Sequence, residues 1–128
     1  MDLNFKKISI IGLGLIGTSI LHAIKAKEED QLVTFAYDIN PLHRETVLQM
    51  KIATFVCDDI ENTVSEADLV ILAVPVGSMK TVANLIAPFL KKNTIVTDTG
   101  STKRSVIRDV NPHIPDNVHF IPSHPLAG

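Results

Sequence analysis

The sequence has little cysteine and little charge imbalance, and each shortage excludes a class of protein. Cys57 is the single cysteine among 128 residues, so no disulfide can form within the chain, and a reducing cytoplasm is the simplest setting. The formal net charge is only −2, which provides no general attraction to nucleic acid or to an anionic membrane. We therefore expect neither of these as a partner.

Internal repeats, low-complexity tracts and interdomain linkers are also absent from the sequence. With 45% hydrophobic and 20% charged residues, the chain is long enough to bury one sizeable core. We expect residues 1–128 to form a single domain. The largely apolar run over residues 8–24 follows two lysines, as in a secretory signal, but its glycine pattern explains it better. No other stretch approaches membrane-spanning length.

The most informative stretch is Gly12-Leu13-Gly14-Leu15-Ile16-Gly17, which has the pattern G-x-G-x-x-G. Residues 8–11 before it predict a strand, and the apolar positions after it recur at helical spacing. Residues 33–37 predict a second strand that leads into Asp38, 21 residues after Gly17. Strand, glycine turn, helix, strand and acid in this register predict a dinucleotide-binding unit. An ordinary α/β turn is the alternative interpretation of the glycines alone.

Each part of this unit has a physical role. Gly12 allows a sharp turn out of the strand, Gly14 lets a pyrophosphate approach the backbone, and Gly17 lets the helix pack closely. The helix N-terminus offers free N–H groups and the positive end of its dipole to phosphates. Asp38 can accept hydrogen bonds from both ribose hydroxyls of an adenosine. Because its carboxylate would repel a 2′-phosphate, the sequence favours NAD over NADP.

Strands and helices alternate along the rest of the chain. Predicted helices cover residues 41–50, 58–66, 79–90 and 103–110, and predicted strands cover residues 53–57, 68–75, 94–98 and 118–121. In the helix over residues 41–50 we expect Val47 and Met50 to be buried. In the helix over residues 79–90 we expect the buried positions to be Val82, Leu85, Ile86 and Phe89. The alternation predicts an α/β fold, a doubly wound parallel sheet of the Rossmann type with strand order 3-2-1-4-5-6.

Ligands of such a sheet lie beyond the carboxyl ends of its strands, so residues there are the candidates for function. Val74 and Pro75 close one strand, Ser101 follows another, and His124 follows the last. His124 readily exchanges a proton near neutral pH. A turn histidine and a helix-capping serine are the simpler interpretations of each alone, but together beside a nicotinamide they favour catalysis. The remaining histidines lack neighbours at metal-ligand spacing, so we predict no metal.

Two further segments carry a family resemblance. Residues 98–103 have the pattern D-x-G-S-x-K, and residues 124–128 have the pattern H-P-x-A-G. Together with the glycine pattern and residues 70–75, they make essentially the whole chain similar to the N-terminal domain of prephenate dehydrogenases. That family includes the arogenate and cyclohexadienyl dehydrogenases of tyrosine biosynthesis. The resemblance implies NAD as cofactor and the oxidative decarboxylation of prephenate to 4-hydroxyphenylpyruvate.

The resemblance also implies roles for individual residues. His124 accepts the proton of the substrate's ring hydroxyl, while Ser101 orients this histidine and contacts substrate and nicotinamide. The glycine-pattern residues 12–17, together with Asp38, Val74 and Pro75, hold NAD. Loss of the hydroxyl proton pushes a hydride from the same carbon onto NAD, and loss of carbon dioxide makes the ring aromatic.

Family members continue into a helical domain that forms a homodimer and supplies an arginine for the substrate carboxylates. The sequence stops directly after H-P-x-A-G, so we expect a fragment of a longer enzyme that binds NAD but turns over prephenate or arogenate poorly. A β-hydroxyacid-type dehydrogenase is a second hypothesis, which residues 124–128 disfavour. A non-catalytic NAD-binding regulatory module is a third.

Overall fold

The computed structural model describes residues 5–27, 32–100 and 103–122. In this part of the chain six strands form one parallel sheet with the order β3-β2-β1-β4-β5-β6, which confirms the predicted topology. The strands are β1 (Lys7–Ile11), β2 (Val33–Tyr37), β3 (Phe55–Val56), β4 (Leu69–Leu72), β5 (Ile95–Asp98) and β6 (His119–Phe120).

Helices cover both faces of the sheet, as the crossovers between parallel strands require. They are α1 (Leu15–Ala26), α2 (Pro41–Met50), α3 (Ile60–Val64), α4 (Val76–Ile86) and α5 (Lys103–Val110). Short 3₁₀ turns continue α4 and α5 over Ala87–Phe89 and Asn111–His113. The Asn111-Pro112 pair thus converts α5 into a tighter turn.

The two central strands, β1 and β4, divide the core into two clusters. Ile10 on one face packs with residues of α1 and α2, such as Leu21 and Val47. Leu72 on the other face packs with residues of α4 and α5, such as Met79. All of these side chains are fully buried, as expected inside a parallel sheet that helices cover on both faces.

Helix α2 begins as the sequence predicts. The Asn40 side chain accepts a hydrogen bond from the Leu42 N–H at 2.9 Å, and Pro41 occupies the first helical position. Val47 is fully buried, but the prediction for Met50 is wrong because its side chain is largely exposed in the last turn.

The prediction for α4 is wrong at its start and half right on its buried face, since Ile86 is buried and Val82 packs half-buried against the core. The helix begins at Val76, directly after Pro75, rather than at Met79, so Gly77 lies within the first turn. Its buried residues are Met79, Ala83 and Ile86, whereas Leu85 and Phe89 are exposed. The small Ala83 occupies the buried face of the helix, whereas Leu85 lies on the face that lines the cavity described below.

Asp68 joins three segments at the amino-terminal edge of the sheet. Its carboxylate accepts hydrogen bonds from the backbone N–H groups of Lys6 and Lys7 at 2.9 and 3.0 Å, and from Lys91 Nζ at 2.8 Å. Burial alone would raise the pKa of Asp68, but these hydrogen bonds outweigh it and hold the pKa below its ordinary value of 3.8. The charged form of Asp68 therefore stabilises the fold.

We expect the Asp68→Asn substitution to lower the free energy of unfolding by about 1 kcal/mol at neutral pH, since charge-assisted hydrogen bonds are lost. A carboxylate whose pKa is lowered by folding stabilises the protein at pH values above its ordinary pKa. This stabilisation is lost as the pH falls through the pKa of the folded state. The difference between wild type and variant should therefore shrink below pH 3.8. Urea titrations at neutral and acidic pH measure it, and a constant difference would contradict the assignment.

Candidate functional site

A cavity of about 740 Å³ opens beyond the carboxyl ends of the central strands. Its walls come from the glycine turn after β1, the end of β2 with the start of α2, and the end of β4 with the first turns of α4. The three parallel strands β1, β2 and β4 end beside the cavity, so segments far apart in sequence meet around one space. This is the place where the sequence predicts a ligand.

The first and third glycines of the turn are explained by packing within the protein. Gly12 has a φ of +104°, and a Cβ there would lie 2.5 Å from the carbonyl oxygen of Ala73 at the end of β4. A Cβ at Gly17 would overlap the carbonyl oxygen of Gly12. Gly12 is therefore needed for the turn, and Gly17 for the close approach of α1 to the turn.

Gly14, the second glycine, has a different environment. A Cβ there would meet no protein atom within 4 Å, and its backbone φ of −78° is open to any residue. Gly14 lines the cavity and is the N-cap of α1, where no side chain caps the helix. Leu15 and Ile16, which also line the cavity, are both exposed there. The uncapped N–H groups and the helix dipole thus face a space that can admit an anion.

Two other residues of the glycine pattern do not line the cavity. The side chain of Leu13 is buried in the core with Ile10 and Leu21, and its backbone N–H donates to Asp38 Oδ2 at 2.7 Å. Gly17 lies under the turn, beneath Gly12. Leu13 and Gly17 therefore stabilise the conformation of the turn, whereas Gly14 is the glycine of the turn whose position at the cavity wall packing does not explain.

Asp38 lies at the cavity wall, directly after β2, with its side chain 13% exposed. Besides Leu13, its carboxylate accepts a hydrogen bond from the Asn40 N–H at Oδ1, 2.8 Å away, and lies 3.2 Å from His43 Nδ1. Burial works to raise the pKa of Asp38, but the backbone hydrogen bonds and His43 outweigh it and hold the pKa below its ordinary value. The carboxylate is therefore charged and held in a fixed orientation.

The two basic residues that follow Asp38 are arranged differently. His43 lines the cavity, although sequence reasoning counted it only among the histidines without neighbours at metal-ligand spacing. Arg44 is directed to the backbone, where Nη1 donates to the Asp38 carbonyl oxygen at 2.8 Å and the guanidinium lies 5.8 Å from the centroid of the Tyr37 ring. Arg44 thus fixes the end of β2, and His43 reaches the site.

The end of β4 supplies the opposite wall. Val74 and Pro75 line the cavity, as the sequence predicts. Sequence reasoning missed Gly77, Ser78 and Thr81, which also line it because α4 begins earlier than expected. The Gly77-Ser78 pair, which follows the predicted strand, was the feature of the sequence that could have indicated these residues. In the structure a Cβ at Gly77 would meet no protein atom, so packing does not explain this glycine.

The loop after β5 is anchored by a buried carboxylate. Asp98 is 1% exposed and accepts a hydrogen bond from the Gly100 N–H at 2.7 Å. A Cβ at Gly100 would lie 2.6 Å from Val106 Cγ2, so the backbone is packed closely against α5. The position of the chain is thereby fixed up to Gly100. The proposed catalytic residues Ser101 and His124 lie outside the described residues.

The described part of the chain contains neither a metal-ligand cluster nor a membrane-spanning helix. Within residues 5–27, 32–100 and 103–122, no three His, Cys, Asp or Glu side chains cluster as metal ligands would. None of the helices in these ranges combines the length and the apolar character needed to cross a bilayer.

The doubly wound sheet and the glycine turn at its carboxyl edge define a nucleotide-binding domain. Comparison with known families agrees: residues 21–128 match the family described as "Prephenate dehydrogenase, nucleotide-binding domain". The chain belongs to this family.

Individual relatives support the assignment. The chain is 48% identical over 124 residues to a cyclohexadienyl dehydrogenase of Zymomonas mobilis, a match covering 97% of this chain and 42% of the relative. It is 37% identical over 128 residues to a prephenate dehydrogenase of Lactococcus lactis, covering 96% of this chain and 34% of the relative. The chain thus spans well under half the length of these curated relatives.

A solved structure shows the same fold. The crystal structure of prephenate dehydrogenase from A. aeolicus, in complex with hydroxyphenyl propionate and NAD+, superimposes with a TM-score of 0.84 at 25% sequence identity. The match covers 100% of this chain and 44% of that one. The similarity therefore extends over the whole chain in sequence and in structure.

Proposed function

We propose that this chain binds NAD in the cavity at the carboxyl edge of the sheet, as the cofactor domain of a prephenate dehydrogenase. The observation that carries the proposal is the position of Gly14. Packing gives no reason for a glycine there, because a Cβ would meet no protein atom. A pyrophosphate lying against the uncapped N-terminus of α1 does give a reason, since a side chain would stand in its place.

The other walls of the cavity fit the rest of a dinucleotide. The Asp38 carboxylate, held by two backbone N–H groups, offers its remaining acceptor positions to the hydroxyls of the adenosine ribose. Val74 and Pro75 supply apolar surface between the glycine turn and α4. These contacts agree with the NAD+ named in the A. aeolicus complex.

For the reaction, we propose that His124 accepts the proton of the substrate's ring hydroxyl and that Ser101 orients His124. The bound NAD supplies the acceptor for the hydride that leaves the same carbon. The anchor between Asp98 and Gly100 supports this assignment, because it fixes the backbone at the carboxyl end of β5 one residue before Ser101. A neutral imidazole within hydrogen-bond reach of the hydroxyl suits the proton transfer.

The complete enzyme is proposed to be a cytoplasmic homodimer that acts on prephenate, with residues 1–128 as its dinucleotide-binding domain. Its relatives are more than twice as long as this chain, which leaves room for a second domain that closes the cleft and forms the dimer. Arogenate is the alternative substrate, supported by the broader name of the cyclohexadienyl dehydrogenase relative.

The assay that tests this function is the reduction of NAD, followed by nicotinamide absorbance, with prephenate and then with arogenate. It compares the 128-residue chain with a protein that has the full length of its relatives. We expect turnover in the longer protein and little in the chain alone. Absence of turnover in both, with NAD still bound, would favour another dehydrogenase or a binding module.

The substitution Asp38→Ala should weaken NAD binding about tenfold or more, because the ribose hydroxyls lose a charged acceptor. NADP binding should weaken less than NAD binding, so the ratio of the NADP to the NAD dissociation constant should fall. Calorimetric titration of both nucleotides measures this, with Asp58→Ala as a control, since Asp58 is exposed and does not line the cavity. A thermal melt checks that the turn still folds. Unchanged discrimination between NAD and NADP would remove Asp38 from the site.

A further inference from the structure

His43 lies in the candidate nucleotide site without a role assigned to it so far. It is the third residue of α2, its side chain is 48% exposed, and it lines the cavity beside Asp38. Its Nδ1 atom lies 3.2 Å from Asp38 Oδ2. The imidazole therefore touches the carboxylate that the adenosine ribose would use.

The hydrogen bonds of Asp38 show which acceptor position of the carboxylate His43 occupies. A carboxylate oxygen accepts about two hydrogen bonds. Oδ2 already accepts the Leu13 N–H at 2.7 Å, so His43 takes its second position. Oδ1 accepts the Asn40 N–H at 2.8 Å and keeps one position open. A ribose that contacts both oxygens must therefore displace His43 from Oδ2.

The charges around His43 are few. Tyr37, Asp38 and His43 are the titratable groups among the described residues that line the cavity, and the glycine turn and the first turns of α4 bring none. Arg44, next in sequence, is directed to the Asp38 carbonyl oxygen and does not line the cavity. His43 is therefore the cavity residue, among those described, that can place a positive charge beside Asp38.

We propose that His43 determines the choice between NAD and a 2′-phosphorylated dinucleotide according to its protonation state. The inference rests on the proposed NAD site. A neutral His43 yields Oδ2 to the ribose diol, and the bare carboxylate repels a 2′-phosphate. A protonated His43 holds Oδ2 by an ion pair and therefore competes with the ribose diol for this oxygen. Its positive charge also reduces the repulsion between the Asp38 carboxylate and a 2′-phosphate. Both effects lower the preference for NAD as pH falls.

The test is a calorimetric titration of NAD and NADP at about pH 5.5 and about pH 8, because histidine is the side chain that commonly changes charge between these values. The pKa of Asp38 is held below its ordinary value, so this carboxylate stays charged at both pH values. In wild type, the ratio of the NADP to the NAD dissociation constant should fall about tenfold from the higher to the lower pH.

Three variants separate His43 from other causes. The His43→Gln variant removes the charge, so any pH response that it retains belongs to the 2′-phosphate itself, which also titrates near neutral pH. The His43→Lys variant carries a fixed charge and should accept NADP at both pH values. The His22→Gln control changes an exposed histidine of α1 that does not line the cavity, and it should behave as wild type.

A pH response of the ratio that is equal in wild type and His43→Gln would overturn the proposal while leaving the NAD site intact. A His43→Lys variant that discriminates against NADP as strongly as wild type does at the higher pH would also overturn it. Failure of wild type to bind either nucleotide would instead overturn the proposed function, and this inference with it.

Discussion

Two alanine substitutions only three residues apart are expected to have different effects, since one should destroy the stability of the domain and the other its binding of NAD. Gly17→Ala should unfold the domain or cost more than about 4 kcal/mol of stability, because the new Cβ would overlap the Gly12 carbonyl oxygen and force α1 away from the turn. Gly14→Ala should cost no more than about 1 kcal/mol, since its Cβ enters open space at an ordinary φ and only the modest N-cap preference for glycine over alanine is lost. It should nevertheless weaken NAD binding strongly, because that space is proposed to hold the pyrophosphate.

Urea unfolding followed by fluorescence or circular dichroism measures the first effect, and calorimetric titration with NAD measures the second. Each variant serves as the control for the other, because both add one methyl group to the same turn. NAD binding of wild-type strength in Gly14→Ala would place the pyrophosphate elsewhere. A Gly17→Ala protein as stable as wild type would contradict the packing of α1 against the turn.

The topology of the sheet could be predicted because it follows from local patterns. The apolar segments that became β1, β2, β4 and β5 are each bounded by turn residues, and right-handed crossovers leave few arrangements for parallel strands. The glycine spacing and Asp38 then locate the site by position alone, since all of them follow strand ends. These features depend on residues that are near one another in sequence.

The errors arose where the outcome depends on where a helix begins and on which of its faces packs against the sheet, which residue type and spacing alone do not decide. Leu85 has the size and spacing of a core residue, but Ala83 takes the buried position and Leu85 lies at the cavity wall. The helix was predicted to begin at residue 79, yet it begins at Val76, directly after Pro75, and Gly77 lies within its first turn. His43 could not be assigned to the site from the sequence, because its contact with Asp38 appears only when α2 packs beside β2.

The same distinction applies to the residues proposed for chemistry. Ser101 and His124 were identified from the motifs that contain them, and their roles rest on the family to which the chain belongs. The structure adds a physical constraint at one of them, because Asp98 and the close packing of Gly100 against Val106 fix the chain just before Ser101. Mutagenesis in the longer protein is therefore the direct way to test His124.

Replacing His124 by asparagine in a protein of the full length of its relatives should lower kcat about 10²- to 10⁴-fold, the usual contribution of a positioned general base. The NAD dissociation constant should stay within about twofold of wild type, because His124 is assigned to the substrate and not to the nucleotide. Stopped-flow or steady-state absorbance of reduced nicotinamide measures the rate, and calorimetry measures the affinity. His119→Asn, which changes an exposed histidine of β6, is the matched control and should retain activity.

The pH profile distinguishes loss of a base from loss of structure. In wild type, the rate should rise with pH as the imidazole loses its proton, since the neutral form accepts the hydroxyl proton. The residual rate of His124→Asn should lack that rise, whereas a variant that is merely misfolded would keep its shape at a lower amplitude. Full turnover in His124→Asn would remove this histidine from proton transfer. Because residues 124–128 are what disfavours a β-hydroxyacid-type dehydrogenase, that result would also reopen the choice between prephenate and β-hydroxyacid chemistry.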